Sequence, residues 1–576
     1  MPALCERILI SQLGISIYQL FYYGQRIVMM ETVQTQEKIP VKWRDINGWN
    51  YYFLLKFALL WGGYLNFHPF INLVFLAFLL FPLPSTFLHR CRNWIAIPIG
   101  IALFYHDTWL PGLSSIMSQG TNLFAFSSNY LLELLNRFIN WQLLGMAFIL
   151  LVAYLFLSQW IRITTFTVIA LIWLNILTLT GPAISLLPVE SKTATNNVQA
   201  GTEANTSETT ELNSNLPPTN ENLNRYLNQF YEQQKGLHTV FPSSLSADAL
   251  PFDIILIQVC SLAWADIDAV HLRDHPLWSK FDILFNQFNS AASYSGPAAI
   301  RLLRASCGET PHAGLYKPVA ENCYILDNLA KLGFSPEMML DHEGEFGDFL
   351  KEIKEYGGLE DVPLMSRAGI RPDLVSFDGK LLSDDGQLLD KWLKQQNDSS
   401  KKRNATYYNE ISLHDGNTFI GENSPAPYGT RAKKLFDQTM NFFTALENSG
   451  RKAVVVFIPE HGANLVGDKL QMPGLRDIPS PSITHVPVGI KFIGLKTKPT
   501  QIQINDPSSY LAISELIARL VDGKIFNQEN VNLETLTKNL PKTPFVSSNE
   551  GVTVMKYQDK FYILLKGDTN WVPYPQ

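Results

Sequence analysis

Residues 453–462 read Ala-Val-Val-Val-Phe-Ile-Pro-Glu-His-Gly, an apolar run rich in β-branched residues that ends in a carboxylate, an imidazole and a glycine. Such a run is typical of a buried strand in a parallel sheet, because helices cover both faces of that sheet. Open α/β sheets place their chemistry outside the carboxyl ends of the strands. Glu460 and His461 carry side chains that commonly bind metals, so this end of the strand is a candidate metal site.

A second run of the same kind covers residues 253–260, Asp-Ile-Ile-Leu-Ile-Gln-Val-Cys, and it ends in a thiol. A thiolate is a good zinc ligand, although a lone cysteine in an apolar run is more often simply buried. A Glu-His pair taken alone is also more often a surface or capping pair. Two strands that bring Cys260, Glu460 and His461 to one edge of a sheet nevertheless favour a site.

The composition divides the 576 residues into an apolar part and an ordinary soluble part. A membrane span needs about 20 apolar residues, and five stretches predict spans: 51–67, 70–88, 93–112, 139–159 and 164–186. Lys and Arg are absent from residues 93–136, so the positive-inside rule predicts that this loop faces out and that the amino terminus lies inside. An odd number of spans then places the rest of the chain outside, which in a bacterium is the periplasm.

Residues 189–224 are mostly Thr, Asn, Ser and Glu with few large apolar side chains. Such a segment cannot bury enough surface to fold, so it predicts a flexible linker. The chain therefore divides into a cytoplasmic amino-terminal segment at 1–48, a five-helix transmembrane domain at 49–188, this linker, and a periplasmic catalytic domain at 225–576.

The carboxyl-terminal domain alternates strand-like and helical patterns. The predicted strands are 253–260, 453–458 and 486–493, and the predicted helices are 280–290, 297–305, 343–356, 386–396 and 430–448. Such alternation predicts an α/β domain with a mostly parallel sheet sandwiched by helices.

Charge and cysteines narrow the class of protein further. The net charge is −6, and no block of Lys and Arg is long enough to predict a nucleic-acid surface. Cys307 and Cys323 lie close in the sequence, and a disulfide between them is plausible if this domain is outside the cytoplasm. Cys260 is then the odd cysteine of the domain, at a position where a ligand is needed.

Residues 295–297, Ser-Gly-Pro, precede a run of good helix formers and predict a helix start. A helix amino terminus offers free N–H groups and partial positive charge, which favour anions. A Ser295 hydroxyl beside a metal there is a candidate nucleophile. The alternative is that Ser295 only caps the helix. Histidines are rare in this chain, yet His414, His461 and His485 each follow or open a strand-like run. Each could also be a solvated loop histidine.

Together these segments resemble the membrane-bound phosphoethanolamine transferases of the alkaline-phosphatase superfamily, and most closely the cellulose phosphoethanolamine transferases, the BcsG family. The segments that carry the resemblance are 258–262, 293–304, 411–416 and 458–462, with 66–69 and 106–110 in the membrane part. The resemblance covers nearly the whole chain from about residue 45, apart from the linker, and it implies an alkaline-phosphatase-like fold. Ala299 departs from the Cys/Ser-x-Pro-x-Arg signature of sulfatases and weakens that reading.

The resemblance also implies roles for residues of this chain. Ser295 would be the nucleophile, and its oxygen would join Cys260, Glu460 and His461 around Zn²⁺. Relatives that modify lipid A usually have a carboxylate where Cys260 stands, and a thiolate favours zinc over magnesium or calcium. His414 and His485 would flank the phosphate, either as a second metal site or as acid/base and phosphate-positioning groups. Arg476 would hold a phosphate oxygen. Tyr294, beside the nucleophile, would form a hydrogen bond to it.

By the same resemblance the chain would be an inner-membrane enzyme that moves phosphoethanolamine from phosphatidylethanolamine to the glucose 6-hydroxyls of cellulose, through a covalent serine intermediate. Contact with cellulose synthase subunits is a further expectation. Two alternatives stay open. One is a hydrolase of the same superfamily that gives the intermediate to water, and the other is a membrane scaffold for the synthase with a decayed enzyme domain.

Overall fold

The computed structural model describes residues 46, 48–109, 131, 140–180 and 216–575. Contacts divide the chain into two units, of which the first is Met1–Leu54, His68–Ile101 and Leu157–Ile184, and the second is Leu55–Phe67, Ala102–Phe156 and Ser185–Gln576. Most of the predicted amino-terminal segment and most of the predicted linker lie outside the described residues.

A helix overlaps each of the five predicted spans: α1 Trp49–Trp61, α2 Pro69–Leu80, α3 Thr86–His106, α4 Trp141–Leu157 and α5 Ile163–Thr180. Over the ranges that the structure describes, no helix combines the length and the apolar character that a membrane crossing requires. The five spans therefore stay predictions.

The remaining helices and the strands belong to the carboxyl-terminal part. The helices are α6 Asn220–Lys235, α7 Trp264–Ala269, α8 Leu277–Lys280, α9 Ser295–Leu303, α10 Ile325–Lys331, α11 Phe349–Gly357, α12 Asp385–Asp398, α13 Tyr428–Asn448, α14 Pro481–Thr484, α15 Tyr510–Leu520 and α16 Leu533–Thr537. The strands are β1 Asp253–Val259, β2 Ile283–Asn289, β3 Ser335–Leu340, β4 Pro372–Val375, β5 Leu381–Ser383, β6 Asn404–Glu410, β7 Thr418–Phe419, β8 Ala453–Pro459, β9 His485–Ile493, β10 Ile502–Ile504, β11 Val546–Ser548, β12 Val552–Tyr557, β13 Lys560–Leu565 and β14 Val572–Pro573.

The main sheet has seven strands in the order β10-β2-β9-β8-β1-β6-β3. Four of its six strand pairs are parallel, as predicted, but the sheet is mixed because β9 runs antiparallel to both β2 and β8. The parallel pairs β8-β1 and β1-β6 put Val259 opposite both Pro459 and Glu410. The residues that follow these three strands consequently meet at one edge.

The prediction of a helix at 280–290 is wrong, since these residues form β2. Phe285 and Phe288 are buried within the sheet's core, and β2 pairs with both β9 and β10. A short apolar run cannot be assigned to helix or strand by its period alone. Here the hydrogen-bonded pairing with two neighbouring strands makes this run a strand.

Apolar cores lie on both faces of the main sheet. Along β1 the buried side chains alternate, so that Ile254 and Leu256 belong to one cluster and Ile255 and Ile257 to the other. Full burial of each such side chain stabilises the fold by about 1.5–3 kcal/mol. Helix α6 begins inside the predicted linker and packs against the small antiparallel sheet β11-β12-β13-β14. The predicted Cys307–Cys323 disulfide is confirmed.

Candidate metal centre and nucleophile

The carboxyl ends of β1 and β8 hold their following residues side by side. Glu460 N donates to the Val259 carbonyl at 2.9 Å, and Leu262 N donates to the His461 carbonyl at 2.6 Å. Backbone pairing thus continues past both strands and fixes Cys260 next to Glu460 and His461. The adjacency follows from the strand order, which the sequence pattern did not specify.

Cys260, Glu460 and His461 form a compact and fully buried group of donors. One ligand atom from each lies within 4.8 Å of the others, and none of the three side chains is more than 1% exposed. Ser295 Oγ lies 3.5 Å from Cys260 Sγ and 3.4 Å from His461 Nε2. The structure therefore brings together the four residues that were expected around zinc.

Ser295 is the first residue of α9 and not its cap. Tyr294 occupies the N-cap position, and no side-chain capping bond is made there. The first N–H groups of a helix lack partners within the helix, so they favour a negative group. The Ser295 hydroxyl thus lies between the three donors and a helix end that favours anions.

Burial disfavours the charged forms of the donor side chains. Burial raises the pKa of Glu460. Burial also raises the pKa of the Cys260 thiol, and the neighbouring Glu460 carboxylate raises it further. Glu460 Oε1 accepts from Asn409 Nδ2 at 2.5 Å, whereas the buried Glu460 Oε2 accepts no hydrogen bond from any residue that the structure describes. His461 Nδ1 donates to the Gly462 carbonyl at 3.0 Å, which leaves the Nε2 lone pair on the Ser295 side. A thiol, an imidazole and a carboxyl oxygen are a donor set that suits Zn²⁺.

Asp266 of α7 joins the loop after β1 to the loop after β8. Its Oδ2 accepts from Ala263 N at 3.0 Å and from Ala463 N at 2.8 Å, and its Oδ1 accepts from Leu465 N at 3.1 Å. Burial raises the pKa of this carboxyl to about 6. The two loops that carry the donors are therefore tied together by one buried side chain.

Arg476 and His414 lie beside the donor group. Arg476 Nη1 donates to Ser261 Oγ at 2.9 Å, and Nη2 lies 3.3 Å from His414 Nε2. His414 Nδ1 donates to the Asp415 carbonyl at 2.7 Å, and its ring stacks on Phe377 with centroids 3.9 Å apart. Burial, followed by the Arg476 guanidinium, lowers the pKa of His414. His414 is thus held neutral, and its Nε2 lone pair faces the Arg476 guanidinium.

Two other predicted residues have different surroundings. The Tyr294 hydroxyl donates to Asp477 Oδ1 at 2.5 Å. His485 is not brought to the donor group: its Nε2 donates to the Asn286 carbonyl at 2.5 Å, and it lines a separate cavity with Trp264. The expectation that His485 joins His414 near the phosphate therefore does not match its position. The start of β9 lies at the same edge as the end of β8, but His485 pairs with Asn289 and its ring binds on the β2 side.

Sequence reasoning missed a second group of carboxylates at the same edge of the sheet. Asp341, Asp385 and Glu410 are fully buried, with one oxygen of each within 4.8 Å of the others. Burial is the first cause that raises the pKa values of Asp385 and Glu410, and mutual repulsion adds to it. Asp341 follows β3 and Glu410 ends β6. A sequence prediction of these two strands would have revealed a carboxylate at the end of each.

Comparison with known proteins matches most of the chain. The model of the cellulose biosynthesis protein BcsG C-terminal domain matches residues 207–571, and that of the BcsG N-terminal domain matches residues 49–176. The cellulose biosynthesis protein BcsG of Salmonella typhimurium is 55% identical over 544 residues, which cover 93% of this chain and 97% of the relative. The protein of the same name from Escherichia coli K12 is 54% identical over the same shares.

Solved structures are more distantly similar. An alkaline phosphatase superfamily protein from Vibrio parahaemolyticus is 13% identical with a TM-score of 0.44, over 61% of this chain and 87% of that one. The integral membrane lipooligosaccharide phosphoethanolamine transferase A from Neisseria meningitidis is 13% identical with a TM-score of 0.40, over 82% and 92%. The matched domains and the close relatives show that the chain belongs to the family of the cellulose biosynthesis protein BcsG.

Proposed function

We propose that this chain transfers phosphoethanolamine from phosphatidylethanolamine to the glucose 6-hydroxyls of nascent cellulose, with Ser295 as the nucleophile and Zn²⁺ as the cofactor. The proposal is carried by the close approach of Ser295 Oγ to Cys260 Sγ and His461 Nε2, at 3.5 and 3.4 Å. The buried Glu460 Oε2, which has no hydrogen-bond donor within the described part of the chain, supports a cation at the same point. Family membership supports a role in cellulose production.

In the first step, Ser295 Oγ attacks the phosphorus of the donor. The phosphorus–oxygen bond to diacylglycerol breaks, the diacylglycerol oxygen takes up the proton that Ser295 loses, and phosphoethanolamine stays on Ser295. Cys260, Glu460 and His461 would hold Zn²⁺, which would supply Lewis-acid chemistry beside this hydroxyl. The amino end of α9 favours the negative phosphoryl oxygens.

In the second step, the acceptor hydroxyl attacks the same phosphorus and Ser295 Oγ leaves. His414 Nε2 accepts the proton of the sugar hydroxyl, since Nδ1 is committed to the Asp415 carbonyl. The proton then returns to Ser295. Arg476 lies beside His414 and can hold a phosphoryl oxygen through its paired N–H groups.

The proposed setting is the outer face of a bacterial inner membrane. The five predicted spans would anchor the chain, and the predicted linker would let the catalytic domain reach a lipid donor and an extruded polymer. The Cys307–Cys323 disulfide supports an oxidising compartment such as the periplasm. Contact with synthase subunits belongs to the same proposal.

Trapping the intermediate tests the chemistry. Full-length protein incubated with a phosphoethanolamine donor is expected to gain the mass of one phosphoethanolamine group, and Ser295→Ala is expected to gain none. Ser293→Ala is a matched control, because Ser293 is buried two residues before the nucleophile. An adduct on Ser295→Ala would contradict the assignment.

The same assay separates a transferase from a hydrolase. Added cello-oligosaccharide is expected to remove the group from Ser295 and to appear as a phosphoethanolamine ester by mass. Release of free phosphoethanolamine at an unchanged rate, with no labelled sugar, would identify the chain as a hydrolase.

A further inference from the structure

A carboxylate lies against the first turn of α9, one residue after Ser295. A Cβ atom on Gly296 would fall 2.3 Å from Glu352 Oε2. The carboxylate therefore occupies the space that a side chain at residue 296 would need. Glu352 belongs to α11, which packs against α9. A negative charge is therefore built in next to the nucleophile, although phosphoryl transfer itself requires positive charge there.

Arg301 acts on the neighbouring Tyr316 and Arg304 acts on Tyr356, but neither forms an ion pair with Glu352. Among the described residues Glu352 makes no ion pair, and the charges that act on it most, Asp348 and Glu355, are carboxylates of its own segment. Half-burial, with these two repulsions added, raises the pKa of Glu352 to about 7. A bound cation would relieve the repulsion and favour the ionised form.

Two aromatic rings complete the neighbourhood. Tyr316 is close enough to Glu352 for the carboxylate to raise the pKa of its phenol, after burial as the larger cause. Its ring meets that of Tyr356 edge to face, with centroids 5.4 Å apart, and Tyr356 lies one turn after Glu352 on α11. All three residues are partly exposed. A carboxylate beside tyrosine rings suits an alkylammonium ion.

We propose that Glu352, with Tyr316 and Tyr356, binds the ammonium group of the ethanolamine carried by the donor and by the Ser295 adduct. This Glu352 site rests on the proposed function. Only an oxygen and two carbons separate phosphorus from the ammonium, so a phosphoryl group on Ser295 keeps its ammonium near the flanking turn of α9. The site selects aminoethyl phosphodiesters over those without a charge.

Two soluble diesters of nitrophenol test the site on the full-length protein. One carries an aminoethyl group, and the other carries a propyl group of the same length without charge. Wild type is expected to prefer the aminoethyl diester in kcat/KM. Glu352→Gln is expected to lose at least about tenfold of kcat/KM toward the aminoethyl diester and to keep its rate with the propyl diester. Retained propyl turnover shows that the variant is folded.

Glu360→Gln is the matched control, because Glu360 is exposed and lies just after the same helix. It is expected to keep the wild-type preference, and Glu352→Asp is expected to restore part of it. A preference that survives in Glu352→Gln, or an equal fall with both diesters, would overturn the Glu352 site alone. A wild type that forms no Ser295 adduct with either diester would overturn the transferase mechanism, and the site with it.

Discussion

Gly462, the last residue of the run that opens the sequence, lies where the loop after β8 meets the start of α7. A Cβ atom on it would fall 2.6 Å from Asp266 Oδ2 and 2.7 Å from Ala263 Cβ. Cβ atoms essentially never approach other atoms so closely, so a larger residue must move the loop that carries Glu460 and His461. Glycine is therefore required at this position because the two loops approach each other too closely for a Cβ atom.

Gly462→Ala is expected to weaken zinc binding about 10–100-fold, the range found when residues that orient metal ligands are changed. Competition with a chromophoric chelator measures the affinity. Gly551→Ala is the control, since nothing lies within 4 Å of a Cβ there. Unchanged affinity in Gly462→Ala would mean that the loop absorbs the methyl group without moving the ligands.

Cys260→Ser is expected to lose most of the bound zinc, because an alcohol is a much poorer ligand than a thiolate. Metal analysis of the purified protein measures zinc per chain. Cys91→Ser is the matched control, as Cys91 is the other free cysteine among the described residues and lies outside the donor group. Full zinc content in Cys260→Ser would contradict the thiolate ligand.

Local sequence patterns predict those site residues that lie next to the end of a strand or the start of a helix. Cys260, Glu460 and Ser295 could be found because each lies next to a strand end or a helix start. Asp266 and Glu352 could not, because they reach the site from neighbouring helices through packing. No local pattern in the sequence encodes that approach.

Among the elements, β2 and β9 show the limit of local patterns. Both are short buried runs, and their direction and even their type depend on the neighbours they pair with. The long run at 453–459 was predictable because full burial gives it β-branched residues at nearly every position. His485 starts β9 at the edge where β8 ends, but its hydrogen bond to the Asn286 carbonyl of β2 keeps the ring away from the donor group.

The Cys307–Cys323 disulfide links the end of α9 to the segment before α10 and closes a loop with a sequence separation of 16. Replacing both cysteines by serine is expected to lower the free energy of unfolding by about 3 kcal/mol, the loop-entropy value for this length. Urea denaturation measures it. Reduction of wild type should reproduce the loss, whereas an unchanged midpoint would show that the reduced, unfolded chain gains no freedom.

The buried carboxyl of Asp385, which begins α12 beside Asp341 and Glu410, gives a pH-dependent stability. Burial raises the pKa of Asp385 above that of the unfolded chain, so the folded state binds more protons and loses stability as pH rises through the folded pKa. Asp385→Asn removes this titration, and its free energy of unfolding is expected to fall less between pH 5 and about pH 8 than that of wild type.

Asp390→Asn is the control for this experiment, because Asp390 is exposed on the same helix. It should keep the wild-type slope of stability against pH. A slope for Asp385→Asn that equals the wild-type slope would mean that this carboxyl has the same pKa in both states.

For the whole molecule, the domain that bears the site begins earlier than the predicted residue 225. Leu223, Tyr226 and Phe230 of α6 are buried against β11, β12 and β13. The predicted linker boundary divides this helix, because its first residues are polar and resemble a linker in composition. Composition marks the apolar and soluble parts well, but it does not reveal a helix whose apolar face is narrow.

A chain that begins at residue 216 is expected to fold and to turn over soluble diesters like the full chain, because every donor and positioning residue lies after it. A chain that begins at residue 236 is expected to be less stable by about 5 kcal/mol, from about 1.5–3 kcal/mol for each of the three lost apolar side chains. Thermal and urea denaturation compare the two. Equal stability would show that α6 contributes no packing energy.

The hydrogen bonds of Asp266 reduce the ordering of the chain that metal binding requires. Because Asp266 already holds the two ligand-bearing loops together through backbone N–H groups, removal of the ion leaves the chain little conformational entropy to gain there. The metal-free protein should therefore unfold cooperatively as a native state and rebind the ion without a slow refolding phase. Under the proposed function, folding of the carboxyl-terminal domain would therefore not depend on the presence of the metal.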